Sequence, residues 1–146
     1  KGKTITQYFQ EKLWTPLEME YDGSWSIDRK KEGTEKTFCC LNARARDFAK
    51  IGRLFLNKGN WNGKQIVSQT WVEESTKIDS SEGSYDGYQY QWWIPSKDGA
   101  FMAQGILGQY VYVHPTENII IVRMGKNYGK VNWSGLFGQM VKFYKR

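Results

Sequence analysis

The run Gly105-Ile106-Leu107-Gly108-Gln109-Tyr110-Val111-Tyr112-Val113 carries the strongest chemical signal in this chain. It opens a hairpin that returns through Asn118-Ile119-Ile120-Ile121-Val122-Arg123, with His114-Pro115-Thr116-Glu117 as the turn between two β-rich runs. Such a pattern points to a sheet edge built around chemistry. Other reactive side chains are few. His114 is the only histidine and precedes Pro115, so with no second imidazole and no Cys/His spacing it reads as a surface turn residue, not a metal ligand. Cys39 and Cys40 are adjacent. Their Cα atoms must sit about 3.8 Å apart, below the usual disulfide range, so free thiols packed beside something are expected. No cofactor is implied.

A scaffold must hold that hairpin. From Asn132, a good N-cap, apolar residues fall at Trp133, Leu136, Phe137, Met140, Val141 and Tyr144, the stripe of one buried helix face that needs a sheet to cover. Upstream, Thr4-Ile5-Thr6-Gln7 has capping-box form and begins a helix over about residues 5 to 14, closed by Pro16. The polar stretch from Tyr21 to Thr37, with Gly23 and Gly33, reads as a long loop of the kind that borders sites. Ala45, Phe48, Ile51, Gly52, Leu54 and Phe55 keep helical spacing for a second helix from about 42 to 57. Asn60-Trp61-Asn62-Gly63 is a turn, and Ser68 caps a short third helix with Val67 and Val72 placed as a hydrophobic staple. Strands are expected near 88–94, 100–105, 108–114 and 118–124, with Trp92 and Trp93 on opposite faces. The fold class is therefore α+β: N-terminal helices, an antiparallel β-meander of about four strands, and a C-terminal helix packed on it.

Composition bounds the partners. With 146 residues, 40% of them hydrophobic, the chain suits one domain or a piece of a larger one and is not generally disordered. The net charge of +6 is scattered, and its densest runs, Arg29-Lys30-Lys31 and Lys142 to Arg146, look like solvated surface rather than a nucleic-acid footprint. No apolar run approaches the ~20 residues of a membrane span. The chain opens Lys1-Gly2-Lys3 without an initiator methionine, as the downstream part of something longer would.

These elements, in this order, resemble the C-terminal half of the serine β-lactamase-related family: class C β-lactamases, penicillin-binding DD-peptidases, esterases and nylon-oligomer hydrolases. The carriers are Gly2-Lys3-Thr4-Ile5-Thr6-Gln7-Tyr8-Phe9, Pro16-Leu17-Glu18-Met19, Ala45-Arg46-Asp47-Phe48-Ala49-Lys50-Ile51-Gly52-Arg53-Leu54, and Gly105 to Val113. The resemblance covers nearly all of residues 1–146 and implies the C-terminal portion of a β-lactamase/transpeptidase-like fold. Family members use a Ser-x-x-Lys nucleophile motif, a Tyr-x-Asn motif, and a third motif, Lys-Thr-Gly or His-x-Gly, on a strand beside the nucleophile. Here Ile106-Leu107-Gly108 stands at the third position. The resemblance makes these three residues the substrate-binding edge: Gly108, lacking a Cβ, lets substrate approach the strand closely, and Ile106 replaces the polar residue. By the same resemblance the backbone N–H of Gln109 is one of two oxyanion donors. Phe38-Cys39-Cys40 falls where the family has a small glycine-rich loop near the site.

Ser-x-x-Lys occurs nowhere in the chain, and no tyrosine is followed two places later by asparagine. Covalent acyl transfer needs an activated nucleophile. The expectation is a hydrolase segment whose serine and lysine/tyrosine base lie upstream, in a protein that cleaves a small ester, amide or β-lactam through an acyl-enzyme. Ile106 argues against a typical β-lactamase and favours an esterase or amidase. Two other classes compete. One is a non-catalytic module that stacks exposed Trp and Tyr on a sugar or peptidoglycan fragment, and it loses its basis where Trp61, Trp71, Trp92 and Trp133 are core. The other is a degenerate partner subunit. The resemblance favours export to a bacterial periplasm, whereas two unpaired thiols suit the cytoplasm equally, so the compartment stays open. Ile106 itself is either a core strand residue or part of a cleft wall.

Overall fold

A computed structural model describes residues 2–144. Strand alternation organises it. Five strands form one antiparallel meander in chain order: β5 (Tyr88–Gln89), β6 (Trp92–Trp93), β7 (Phe101–Gln104), β8 (Tyr110–His114) and β9 (Ile119–Arg123). Before them come α1 (Ile5–Phe9), β1 (Ser24–Trp25), β2 (Leu41–Asn42), α2 (Ala45–Leu56), β3 (Asn60–Trp61), β4 (Lys64–Gln65) and α3 (Gln69–Thr76), and α4 (Trp133–Tyr144) follows. Side chains of a strand point alternately to its two faces, and here both faces are covered. Met102, Tyr110 and Tyr112 pack with Phe137 and Val141 of α4. Trp92, Phe101, Val111 and Val113 pack with Phe48 and Phe55 of α2. The mixed α/β architecture is thus helix, antiparallel sheet, helix. Trp92 and Trp93 divide between the two faces as the alternation demands.

The helix on the inner side comes close because of one glycine. A Cβ on Gly52 would meet Ile120 Cγ2 and Val111 Cγ1, both at 3.0 Å, and Val113 Cγ2 at 3.3 Å. A third cluster, Leu17, Leu54 and Trp61, ties the N-terminal segment to α2. Capping follows the sequence reading. Thr4 and Gln7 form the reciprocal box of α1, Ser68 Oγ accepts from Trp71 N–H at 3.2 Å, and Asn132 Oδ1 accepts from Gly135 N–H at 3.1 Å.

Several expectations need correction. The helix expected over about 5–14 has that span, but its second half, Gln10–Trp14, is π-helical rather than α-helical. The strand expected over 88–94 is two strands, because Tyr90 and Gln91 take φ of 41° and 75° and form a two-residue hairpin turn. The polar 21–37 loop carries β1, paired to β2, and an Ile27–Glu35 bridge. On α4, Phe137 and Val141 are buried, but Met140 and Tyr144 at the edge of the stripe are exposed. His114 is not a surface turn residue: it is the last residue of β8, within the strand expected over 108–114, pairs with Ile119 and is 5% exposed. Cys39 and Cys40 are not free thiols but a disulfide across a 3.7 Å Cα separation. Cys40 at φ 78° breaks the alternation that would otherwise send neighbouring side chains to opposite sides.

Leucine at position 52 tests the packing, since it favours helix as strongly as any branched residue and cannot blame propensity. Gly52→Leu should lower stability by about 1–3 kcal/mol through overpacking, read by thermal or urea unfolding. A variant as stable as the parent would mean that α2 does not seat on Val111 and Ile120.

Candidate functional site

The four residues assigned to the site lie in a single turn at the end of β7 and β8. Gly108 N–H donates to Gly105 O at 3.0 Å, and Gly105 N–H donates to Gln109 O at 2.8 Å. Ile106 and Leu107 have no positive φ, whereas Gly108 has φ 75°. This is a type I turn closed by a left-handed glycine, a three-residue hairpin loop with a G1 bulge. Leu107 N–H is taken by Gln109 Oε1 at 3.0 Å. The N–H groups of Ile106 and Gln109 donate to none of the turn's acceptors.

Side chains at the tip lie in solvent. Ile106 is 83% exposed and Leu107 49%. Within this chain Ile106 does not enter the core. Underneath, the turn is braced by the segment after β9. The Arg123 Nη1 donates to Gly108 O and, at 3.3 Å, to Asn127 O. Its guanidinium carbon lies 3.8 Å from the centre of the Trp133 ring. Trp133 Nε1–H donates to Tyr128 O at 2.6 Å, and Gln104 Nε2–H donates to the Tyr128 hydroxyl at 3.1 Å. Sequence reasoning missed this brace. Its one visible signal is the charge that ends the apolar run Ile119-Ile120-Ile121-Val122-Arg123 just before a glycine two residues on.

Burial pushes the Tyr110 hydroxyl above its ordinary value, Tyr128 adds to this, and Arg123 opposes it. Tyr110 is therefore held protonated. At the other end of β8 a cavity of about 530 Å³ is lined by Asp98, Tyr112, His114, Asn132 and Ser134 among others. There Asp98 Oδ2 is 3.5 Å from His114 Nε2. Burial works against the Asp98 charge, but Ser96, the Ala100 N–H and His114 together hold its carboxyl below the usual range. Burial, aided by Asp98, raises Tyr112 to about 12. Among the described residues no three His, Cys, Asp or Glu side chains gather as metal ligands would.

The aromatic residues are mostly structural. Trp61 and Trp92 are buried, and Trp133 packs against the α4 cluster. Trp71 is half exposed, with Tyr90 at 5.0 Å between ring centres.

Known proteins share the sequence and fold of this chain. The family model described as Beta-lactamase matches residues 1–132. A 6-aminohexanoate-dimer hydrolase of Paenarthrobacter ureafaciens is 29% identical over 123 residues, which are 77% of this chain and 31% of that protein. Among solved structures, a Bacillus anthracis protein assigned as a 6-aminohexanoate-dimer hydrolase superposes with a TM-score of 0.87 at 29% identity, over 99% of this chain and 40% of its own. A Bacteroides dorei DSM 17855 protein assigned as a beta-lactamase shares the fold, with a TM-score of 0.65 at 14% identity over 93% of this chain and 51% of its own. The chain spans about a third of the length of the curated relative it matches.

The turn makes a direct demand on residue 108. A Cβ there would sit 2.7 Å from Asn127 O and 2.8 Å from Arg123 Nη1, on a backbone at φ 75°. Gly108→Ala should cost about 1–3 kcal/mol in stability, measured by thermal unfolding. An unchanged melting temperature would mean that residue 108 does not hold the left-handed conformation.

Proposed function

We propose a function that proceeds from one fact: this chain belongs to the Beta-lactamase family. It contributes the sheet-end turn Gly105–Gln109 to a serine hydrolase that cleaves an amide or ester through an acyl-enzyme. Nucleophile and base come from the part of the relatives' length that this chain does not span, since neither Ser-x-x-Lys nor Tyr-x-Asn occurs in its residues. As the serine attacks, the carbonyl oxygen of the substrate gains negative charge. A preorganised N–H at about 2.7–3.1 Å from that oxygen stabilises the tetrahedral species more than the ground state. Gln109 N–H is the donor the resemblance assigns to this task, and the observation that supports a donor in this turn is that neither it nor the Ile106 N–H donates within the turn.

Specificity follows from the side chains at the tip. Ile106 and Leu107 are apolar and exposed, so neither side chain offers a charge to a substrate carboxylate. An apolar acyl or alkyl chain lying along them would gain by leaving water. Two 6-aminohexanoate units joined through amine and carboxyl form an amide between such chains. The names of two relatives therefore support an amidase or esterase over a β-lactamase. A module that works by aromatic stacking draws little support, with Trp61 and Trp92 buried.

The 146-residue chain alone should neither turn over p-nitrophenyl esters nor react with a serine-directed fluorophosphonate. The same chain joined to the remainder of its protein should do both. Turnover by the isolated chain, lost on treatment with the fluorophosphonate, would mislocate the nucleophile. Within the complete protein, Ile106→His should change stability by no more than about 0.5 kcal/mol, because the position is exposed, while altering kcat/KM toward ester substrates. A large stability loss with unchanged kcat/KM would remove Ile106 from the substrate edge.

A further inference from the structure

Cys39 and Cys40 are the only cysteines of this sequence, and they form a disulfide with each other. Cys40 is exposed and Cys39 half-buried. A disulfide stabilises a fold chiefly by closing a loop and so removing freedom from the unfolded chain. With a sequence separation of 1, this bond closes no loop and joins no two elements. Its place at the surface puts it among the bonds that thiolates reach and exchange.

The bond does govern one backbone state. Cys40 has φ 78°, a left-handed conformation that residues with a Cβ rarely take. Carbonyls around it hold Trp25 and β1. Trp25 Nε1–H donates to Lys36 O and Cys39 O, both at 2.9 Å, and Ser26 N–H donates to Cys40 O at 3.0 Å. The Trp25 ring in turn stands edge-on to Phe9 of α1, with 5.6 Å between ring centres. The link that keeps two adjacent side chains on one side thus also fixes acceptors on which the β1–β2 hairpin and its contact with α1 depend. We propose that Cys39–Cys40 is a thiol–disulfide exchange site whose reduction by a dithiol releases Trp25. A thiolate of the dithiol attacks one of the two sulfurs, the Cys39–Cys40 bond breaks and a mixed disulfide forms. The second thiol of the reductant then attacks the reductant sulfur of that intermediate and expels the protein thiolate. The reductant leaves as its own disulfide, and its two electrons and two protons end on the cysteines. Cys40, no longer linked, returns to negative φ, and its carbonyl turns away from Ser26. This site is independent of the acyl-enzyme reading.

The test uses the complete protein, alkylated in its native state and read by mass spectrometry on the peptide that carries Cys39 and Cys40. In air-equilibrated buffer that peptide should take no iodoacetamide label. After native treatment with dithiothreitol both cysteines should be labelled, and oxidised dithiothreitol should return the peptide to the unlabelled state. Amide hydrogen exchange should quicken about 10-fold or more at residues 24–26 and 40–42 in the reduced form, as local opening requires, while β8 keeps its protection. Cys39→Ser/Cys40→Ser should exchange at the reduced rate with or without dithiol. Cys39→Ser/Cys40→Gly should recover protection, because glycine holds positive φ without a link. Labelling of both cysteines in air-equilibrated buffer, or of neither until the protein is unfolded, overturns the exchange site. Reduction that leaves exchange at Trp25 and Ser26 unchanged overturns the release of Trp25. Equal exchange in the two double variants overturns the part given to the Cys40 conformation.

Discussion

Burial of β8 on both faces is the constraint on which the rest of the structure depends. All five of its residues are buried, between the α4 cluster on one side and the α2 cluster on the other. A slip of one residue in its register would exchange the two faces and send Tyr110 and Tyr112 against Gly52, where there is no room for them. Full burial of side chains such as Val113 and Phe101 contributes roughly 1.5–3 kcal/mol each, so the register is held by several such terms at once. With β8 locked to β7 and β9, the position of the Gly105–Gln109 turn at its entrance is also set. The turn is anchored at both ends by strands, β7 and β8, that are locked in register.

The turn then departs from regular sheet geometry at one glycine. A two-residue hairpin would have continued the ladder. The left-handed Gly108 inserts an extra residue and turns its carbonyl toward Arg123. The same glycine is required sterically, since Asn127 O and Arg123 Nη1 occupy the space a side chain would take. One position thus answers both to the fold and to the proposed chemistry. Arg123 braces that position, because its contacts with Asn127 and Trp133 join the hairpin to α4 while its contact with Gly108 reaches the turn.

Much of this was legible from residue order. The 3.6-residue spacing of Ala45, Phe48 and Ile51 found α2, the capping residues Thr4, Ser68 and Asn132 lie where their side chains accept from helix N–H groups, and strand alternation separated Trp92 from Trp93. The misses share a physical cause: each depended on a contact distant in sequence or on a backbone state the residue type disfavours. Tyr90-Gln91 carries no Gly or Asn to mark a primed turn, and the contact of Tyr90 with Trp71 comes from tertiary placement. Cys40 at positive φ made a neighbouring disulfide geometrically accessible where spacing argued against it. His114 looked like a turn residue but pairs with Ile119 as the last residue of β8. Residues 106–109 were assigned to a site through family resemblance alone, whereas the contacts of Arg123 were invisible because its partners lie 15 residues before it in Gly108 and across a loop in Trp133.

The central claim is that the Gly105–Gln109 turn faces the reacting carbonyl. Its most direct test is a crystal structure of the complete protein carrying a phosphonate adduct on its nucleophilic serine. An adduct oxygen within about 3 Å of the Gln109 nitrogen, in line with its N–H, is the result this account requires. An adduct whose oxygens all point away from residues 105–109 would contradict it.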